Sequence, residues 1–578
     1  MKKVFCLLLA VLMMAGMFAG CGGGQEEDPS TAPSTNPTSN PTPINQDDPT
    51  ELPEVELPLT DDTVEFDYWY PSTYSFEDFN SYDDNLFFQW MEEQTNVHLN
   101  FIHPASGGAT ENFNTMILSG DYTDFIHMLK NYYSGGVDKA INDGVILRMN
   151  EKIDELMPHY RAEVYRDNST TIECLSDAGN LWGISEILDS RQGASGGLLI
   201  RQDWLDKAGL TLADVETVDG LENALTKFVD YTYDHNGPLH LGPAAMGIGY
   251  GLNGSWNVAG LTAAGNSGII NKDGVATYTP MEPSFKEYIG KMADWYAKGL
   301  VSKNYVADNR AIPPDDRWVN SEVGVGEAYY TAPRALAASA ATSELMPAPD
   351  FHLVAMTTPK LNEGDDWATD IHLRMSQAIV RNATCITTDC HDVDLACRYW
   401  DYAWTEEGKT CANWGPTVGE YGDADATYYI YENDENGDGL KECYQPWVNQ
   451  KWPNASYAQI KVALKDGPVY RIWSREYCML TPEEISWVDV WERAGCDWVW
   501  PAGTTLTADE GVTVSSTITA CNTAVSEWTA AVITGQKSVD TYETELVPAL
   551  ESMNYQDGVA CYQAALERFF ARTSFVEE

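Results

Sequence analysis

Val64-Glu65-Phe66-Asp67-Tyr68-Trp69-Tyr70 alternates like a strand, with Val64, Phe66, Tyr68 and Tyr70 on one face. What surrounds it sets the fold class. Leu86, Phe87, Trp90 and Met91 recur at helical spacing, Gln94-Thr95-Asn96 interrupts them, and a second strand is expected around His98 to His103. A further helix runs through Phe113, Met116, Ile117 and Leu118 and stops at Ser119-Gly120-Asp121. Strand, helix, strand at this pace is the rhythm of an α/β architecture with a mostly parallel sheet.

Downstream the pattern resumes. Leu198-Leu199-Ile200 reads as a short buried strand feeding a helix at Trp204. Thr217 or Asp219 can cap the next helix, whose apolar stripe is Leu221, Leu225, Phe228 and Val229. Phe285 to Leu300 is helical and closes at Gly299. Leu395, Tyr399 and Ala403 share one face of a later helix, Thr481-Pro482-Glu483-Glu484 opens another as a capping box, and Val559, Tyr562, Leu566 and Phe569 stack on the last. The ~515 residues that follow the N-terminal region exceed what one core usually holds, so two or more lobes are expected.

Upstream, residues 1–20 have the layout of an export signal: Lys2 and Lys3, an apolar run from Val4 to Phe18, then Ala19-Gly20 directly before Cys21. The run is shorter than the roughly twenty residues a membrane-spanning helix needs. Residues 21–60 are Gly, Pro, Ser, Thr, Asn, Asp and Glu almost throughout, a composition with too little apolar surface to fold, so a spacer is expected there.

Eighty-seven acidic residues against 35 basic ones, a net charge of −52, exclude nucleic acid as a partner and leave no basic patch to hold an anionic membrane surface. Nineteen Trp, 31 Tyr and 16 Phe make the chain rich in aromatic surface. Ten cysteines lie beyond Cys21, an even number that permits full pairing outside the cell without fixing any pair. Cys385, Cys390, His391 and Cys397 lack both a CxxC knuckle and a matching second pair, so zinc is not expected there.

Five stretches, taken in order, carry a resemblance. They are Ser119-Gly120-Asp121-Tyr122-Thr123-Asp124, Leu181-Trp182-Gly183-Ile184, Leu199-Ile200-Arg201-Gln202-Asp203-Trp204-Leu205, Tyr399 through Glu407-Gly408, and Ile533-Thr534-Gly535-Gln536-Lys537-Ser538. Together they resemble motifs of the family 1 extracellular solute-binding proteins of bacterial ABC importers, the carbohydrate-associated lipoproteins, over nearly everything after the spacer. The small-small-Cys ending likewise resembles a bacterial lipobox, with Phe18 where Leu is usual.

The resemblance implies a two-lobed, periplasmic-binding-protein-like (type II) α/β fold, a hinge of crossing strands and a ligand cleft between the lobes. Lobe 1 is expected over 61–183 and again over 363–430, lobe 2 over 184–362, and a region shared between lobes and hinge over 431–578. It also implies a monomer that captures a sugar or other small polar solute for ABC permease subunits and performs no chemistry. A lipid on Cys21 would tether it to the extracellular face of the cell membrane.

Sugars present apolar CH faces ringed by hydroxyls, so their sites combine aromatic platforms with a few charged or amide groups. Trp69 and Tyr70 leave the first strand at its carboxyl end, where ligands of open α/β sheets collect. Trp256 stands in a glycine-rich loop, Glu327, Tyr329 and Tyr330 follow another glycine stretch, and Trp414, Glu420 and Tyr421 resemble a family loop near the cleft. For Trp69, Trp256 and Trp414 packing is the alternative to cleft exposure, whereas Tyr68, Trp90, Trp400 and Trp404 are assigned to packing. Ser119, Asp121, Trp182, Arg201 and Asp203 are further candidates, and the last two could equally orient a helix by ion pairing.

Asp434, Asn436 and Asp438 with Glu442 match most of an EF-hand loop, but Gln445 stands where its bidentate Glu belongs; a calcium site and a hairpin turn are both open. No other cofactor is expected. The rivals are a secreted glycoside hydrolase, for which no hydrolase motif is found, a lipoprotein sensor uncoupled from transport, and a peptide-binding receptor.

Overall fold

β1 (Val64–Trp69) pairs in parallel with β2 (Val97–Ile102) on one side and with β3 (Phe125–His127) on the other, and it buries Phe66 and Tyr68 completely. The helix Leu86–Thr95 joins the first pair. Asn85 caps it by accepting from the N–H groups of Phe87 and Phe88, and Asn96 ends it in the left-handed region at φ 57°.

These coordinates are a computed structural model that describes residues 52–71, 81–105, 107–189, 196–242, 252–258, 268–307, 310, 312–329, 333–366, 379–416, 429–430, 443–444, 460–464, 467–472, 482–493, 498, 500–501 and 503–576. All of them fall in one unit, 43–578.

The remaining strands in chain order are β4 (Ile184–Leu188), β5 (Gly196–Arg201), β6 (Ile269–Lys272), β7 (Val275–Tyr278), β8 (Val325–Tyr329), β9 (Leu353–Met356), β10 (Val380–Ile386), β11 (Tyr429–Ile430), β12 (Cys443–Tyr444) and β13 (Tyr470–Arg471). Six of the thirteen form the sheet of lobe 1, in the order β13-β4-β10-β3-β1-β2. β10 runs antiparallel to both its neighbours, and the other pairings are parallel. Helices cover its faces. Tyr68 meets Phe125 and Trp400 edge-on at 5.7 and 5.9 Å, and Trp90 stacks on Tyr402 at 5.4 Å. Such contacts add to the area term, which the aromatic composition makes large.

Lobe 2 is built differently. Its sheet, β8-β5-β9, is antiparallel throughout, so the expectation of a mostly parallel sheet holds only in lobe 1. Helices supply most of its core: Leu221, Leu225 and Phe228 from Val218–Phe228, Phe285, Ile289 and Trp295 from Pro283–Ala297, and Val525 and Trp528 from Ile518–Ile533. Thr217 caps the first of these, its hydroxyl accepting from the N–H of Gly220 at 3.1 Å.

β4 lies inside the first sheet, so lobe 1 extends through Leu188 and not only to 183. The described elements change lobe three times along the chain, from β4 to β5, from β9 to β10 and from β13 to the helix Pro482–Trp491. Its three lobe 1 ends lie on neighbouring strands, β4, β10 and β13. A fourth passage is at the C-terminus. The helix Tyr555–Ala571 packs Val559 and Tyr562 on lobe 2, whereas Phe575 and Val576 pack against the core of lobe 1. Among the described residues, no helix is long and apolar enough to cross a membrane.

Candidate functional site

The carboxyl ends of β1, β3 and β4 are where an open α/β sheet gathers ligand. Tyr70, just past β1, stacks on His127, the last residue of β3, with ring centroids 4.5 Å apart and planes 9° from parallel. His127 Nδ1 lies 3.0 Å from the Thr384 hydroxyl, which also meets the Tyr68 hydroxyl at 2.6 Å. Burial pushes the His127 imidazole down to about 3, against the opposing pull of Glu186, so the ring is neutral at ordinary pH. Its Nε2 makes no hydrogen bond with the described residues.

Beside it, one carboxylate gathers groups from two neighbouring strands. Glu186 on β4 accepts from Arg471 Nε of β13 at 2.8 Å and from Asn382 Nδ2 of β10 at 3.4 Å, with Arg381 Nε of β10 3.8 Å away. Glu186 and Arg471 are each 3% exposed. β10 is irregular at this point, its register shifting between Arg381 and Ala383 with Asn382 at φ 21°, which turns two successive polar side chains toward one acceptor. Glu173 fixes the start of the same strand by accepting from the N–H groups of Ile379 and Val380.

Asn413 completes the lobe 1 end of the crossings. Its amide donates to the carbonyls of Lys409 and Tyr470, and its oxygen accepts from the N–H of Ile472. At the lobe 2 end, Trp491 Nε1 donates to the Leu198 carbonyl at 3.0 Å, and the Thr357 hydroxyl donates to the Val490 carbonyl. Gly197 is required there, because a Cβ would meet the Trp491 ring at 2.5 Å. The helix Pro482–Trp491 is thereby locked to β5 and β9.

The candidates read from sequence do not all meet here. Trp69 is 1% exposed, wedged between Phe113 and Tyr132, and its Nε1 donates to Asn112 at 2.6 Å; packing displaces the cleft exposure expected of it. Trp256 is buried in the lobe 2 core against Tyr288, which corrects its assignment in the same way. Tyr70 is buried as well, though against the site histidine. Glu327 is buried on β8 opposite Leu198, and Tyr329, half-buried, ends that strand opposite Gly196. Trp414 is buried at the end of the helix Glu406–Trp414, one residue after Asn413.

Ser119 and Asp121 sit exposed on the turn after the helix Ala109–Ser119, where the Ser119 hydroxyl donates to the Met116 carbonyl. Trp182 is half-buried against the cluster that holds Trp69. Arg201 is 1% exposed, donates to both Asp203 oxygens at 2.7 and 2.6 Å, and lies 4.5 Å from the rings of Trp204 and Phe351. The geometry orients a helix on β5 rather than offering a donor to solvent. Tyr330, Glu420, Tyr421 and the loop of Asp434, Asn436, Asp438 and Glu442 lie outside the described residues, as does Cys21.

Among the described residues no three His, Cys, Asp or Glu side chains are grouped to hold a metal ion. Burial pushes the Cys390 and Cys397 thiols up to about 12, and His391 is engaged by Asp124 at 2.9 Å. Cys174, Cys385, Cys390, Cys397, Cys521 and Cys561 are in no disulfide.

No family model and no curated protein matches the sequence. Solved structures do. The alginate-binding protein AlgQ2 is 19% identical with a TM-score of 0.65, covering 88% of this chain and 99% of its own. An extracellular solute-binding protein from Bifidobacterium longum subsp. infantis is 15% identical at TM-score 0.66 over 88% and 98%. The Streptococcus pneumoniae ABC-transporter substrate-binding protein FusA, in complex with kestose, is 16% identical at 0.61 over 88% and 100%. This is the solute-binding-protein fold.

Within that two-lobed fold, the polar groups described above stand where the crossing strands leave lobe 1. His127, Glu186, Arg381, Asn382, Asn413 and Arg471 were not singled out from the sequence. Only one local signal pointed at any of them: Asn413 directly precedes Trp414 in a helix that ends at a glycine. The others are brought together across as many as 285 residues of chain, a juxtaposition no motif records.

Proposed function

We propose that the protein is a solute-binding receptor of an ABC importer, which captures an oligosaccharide or another sugar between its lobes and hands it to permease subunits without chemically changing it. In this reading it works as a monomer. A lipid on Cys21 and the spacer of residues 21–60 hold it at the extracellular face of the cell membrane. The observation that carries the reading is a two-lobed fold shared over 88% of the chain with proteins described as binding alginate and kestose. Tyr70 stacked on the neutral His127 supports it further, because the pair lies at the carboxyl end of the lobe 1 sheet, the edge where ligands of such sheets collect.

The test is a glycan panel, neutral and acidic, with a peptide set beside it. A glycan that raises the melting temperature and is recovered intact supports the reading; ligand at a hundred times its Kd stabilises by about 2.7 kcal/mol. Sustained release of shortened sugars would instead make the protein a glycoside hydrolase, and stabilisation by peptides alone a peptide receptor. Incorporation of labelled palmitate, lost in Cys21→Ala, tests the anchor. Calcium added back to chelator-treated protein decides the Asp434–Glu442 loop: a higher melting temperature assigns a calcium site, no change a hairpin turn.

A further inference from the structure

The C-terminal passage between lobes is held by charge. Asp177, on the turn after the lobe 1 helix Asn168–Cys174, accepts from Arg572 Nε at 3.0 Å and from Arg568 Nε at 3.1 Å, both carried at the end of the helix Tyr555–Ala571. The Thr505 hydroxyl donates to the same carboxylate at 2.9 Å. Arg568 also donates to both oxygens of Glu510, which reaches back to the Thr507 N–H in the capping box of the helix Ala508–Ser516. Arg572 further donates to the Gly503 carbonyl of the lobe 2 side and to the Ile172 carbonyl of lobe 1. Lys130 of lobe 1 stands near enough for its ammonium to be pushed down to about 8 by burial, with Arg572 adding to the effect.

Two further observations give the cluster its meaning. Apolar packing does not close the seam beside it, because Ser134 and Gly135 of lobe 1 and Leu506, Thr507, Ala508, Gly511 and Val512 line a groove of about 540 Å³. The tail, by contrast, is seated in lobe 1: Phe575 rests on Gly179, where even a Cβ would meet its ring at 2.9 Å. The other three passages leave from neighbouring strands of one sheet, whereas this one approaches lobe 1 at the 176–180 turn.

We infer that the Asp177–Arg568–Arg572 cluster is an interlobe latch, a strap from the last helix of lobe 2 to lobe 1 that limits rotation about the three strand crossings. The inference concerns the unliganded protein and does not depend on which solute is bound. Charge-assisted hydrogen bonds are directional as well as strong, so the cluster resists displacement of one lobe against the other.

The test measures the distance between ketone-reactive spin labels coupled to p-acetylphenylalanine introduced in place of Thr115 in lobe 1 and Glu287 in lobe 2, both exposed, which leaves the native thiols untouched. Asp177→Asn and Arg568→Gln are each expected to lengthen the mean distance and broaden its distribution in ligand-free protein, with Asp177→Glu restoring the parent behaviour. Amide exchange in β1 and in the helix Ile518–Ile533 should stay at parental rates, showing that both lobes remain folded. Should Asp177→Asn fail to fold, Arg568→Gln decides, because that side chain is half-exposed and leaves no hole. An unchanged distribution, with faster exchange confined to 503–510 and 568–576, would make the cluster a local staple and overturn the inference.

Discussion

Glu186 and Asp177 each collect arginine from a distant part of the chain, yet they differ in what they join. Glu186 and Arg471 are sealed from water and tie strands of a single sheet, whereas Asp177 is 16% exposed at side-chain level and ties one lobe to the other through a sealed Arg572, 2% exposed, and a solvent-touched Arg568, 30% exposed. A sealed pair is rigid because neither charge can be left alone without a large desolvation cost. A solvent-touched pair can loosen, since water takes over a lost contact. The base of the strand crossings is therefore fixed and the seam at the C-terminus adjustable.

Four measurements test that contrast. Glu186→Gln should cost the most, about 3 kcal/mol in denaturant unfolding, because it takes the balancing charge from the buried Arg471 guanidinium. A loss under about 1 kcal/mol would show that water reaches the crossing strands. Asp177→Asn should cost less, about 2 kcal/mol, the worth of hydrogen bonds to charged groups at a partly wet site. Equal losses at the two positions would erase the distinction.

A third pair, Arg201 with Asp203, lies wholly within lobe 2, so Arg201→Lys should lower stability by about 1–2 kcal/mol through loss of the bidentate fork and ring stacking while leaving the interlobe distance unchanged. The smallest effect belongs to Glu222. Burial alone would raise its carboxyl, but Lys291 and Lys298 outweigh that and hold it at about 2. A depressed folded-state value gives stability that is present above the ordinary Glu range and lost as the pH falls from about 4.5 toward 2. Because the Lys298 ammonium stem is 48% exposed and the carboxylate keeps 20% exposure, solvent screens the cluster, and the stability difference between Glu222→Gln and its parent should shrink by less than about 1 kcal/mol over that window, and less again in high salt.

Much of the fold was legible because its signals are local. The alternation of β1, the Gly120 stop at φ 70°, the Thr217 cap and the helical stripe of Leu221, Leu225 and Phe228 each depend on residues within a turn or two of one another. The all-antiparallel sheet of lobe 2 was not legible, since β5, β8 and β9 read alike as short apolar runs whichever way they pair. The site was the least legible part. Trp69 and Trp256 carry the right chemistry for a sugar platform, yet a strand end or a glycine-rich loop does not say which face a ring will take, and both faces here turn inward. Glu186 looked like any strand residue until β10 and β13 arrived on either side of it.

The position of β10 between β3 and β4 has a consequence for how the chain is made. Thr384 meets His127 across 257 residues, and the whole sheet of lobe 2 lies in that interval. While the polypeptide emerges, β1, β2 and β3 can assemble early, but the open edge of β3 waits until lobe 2 has passed and β10 returns to close it. A chain halted anywhere in lobe 2 therefore carries an unpaired strand edge beside a half-built aromatic core, the kind of template on which other chains add as strands. Slow, late closure of lobe 1 is built into this order of strands, and folding intermediates of the protein should be sought there.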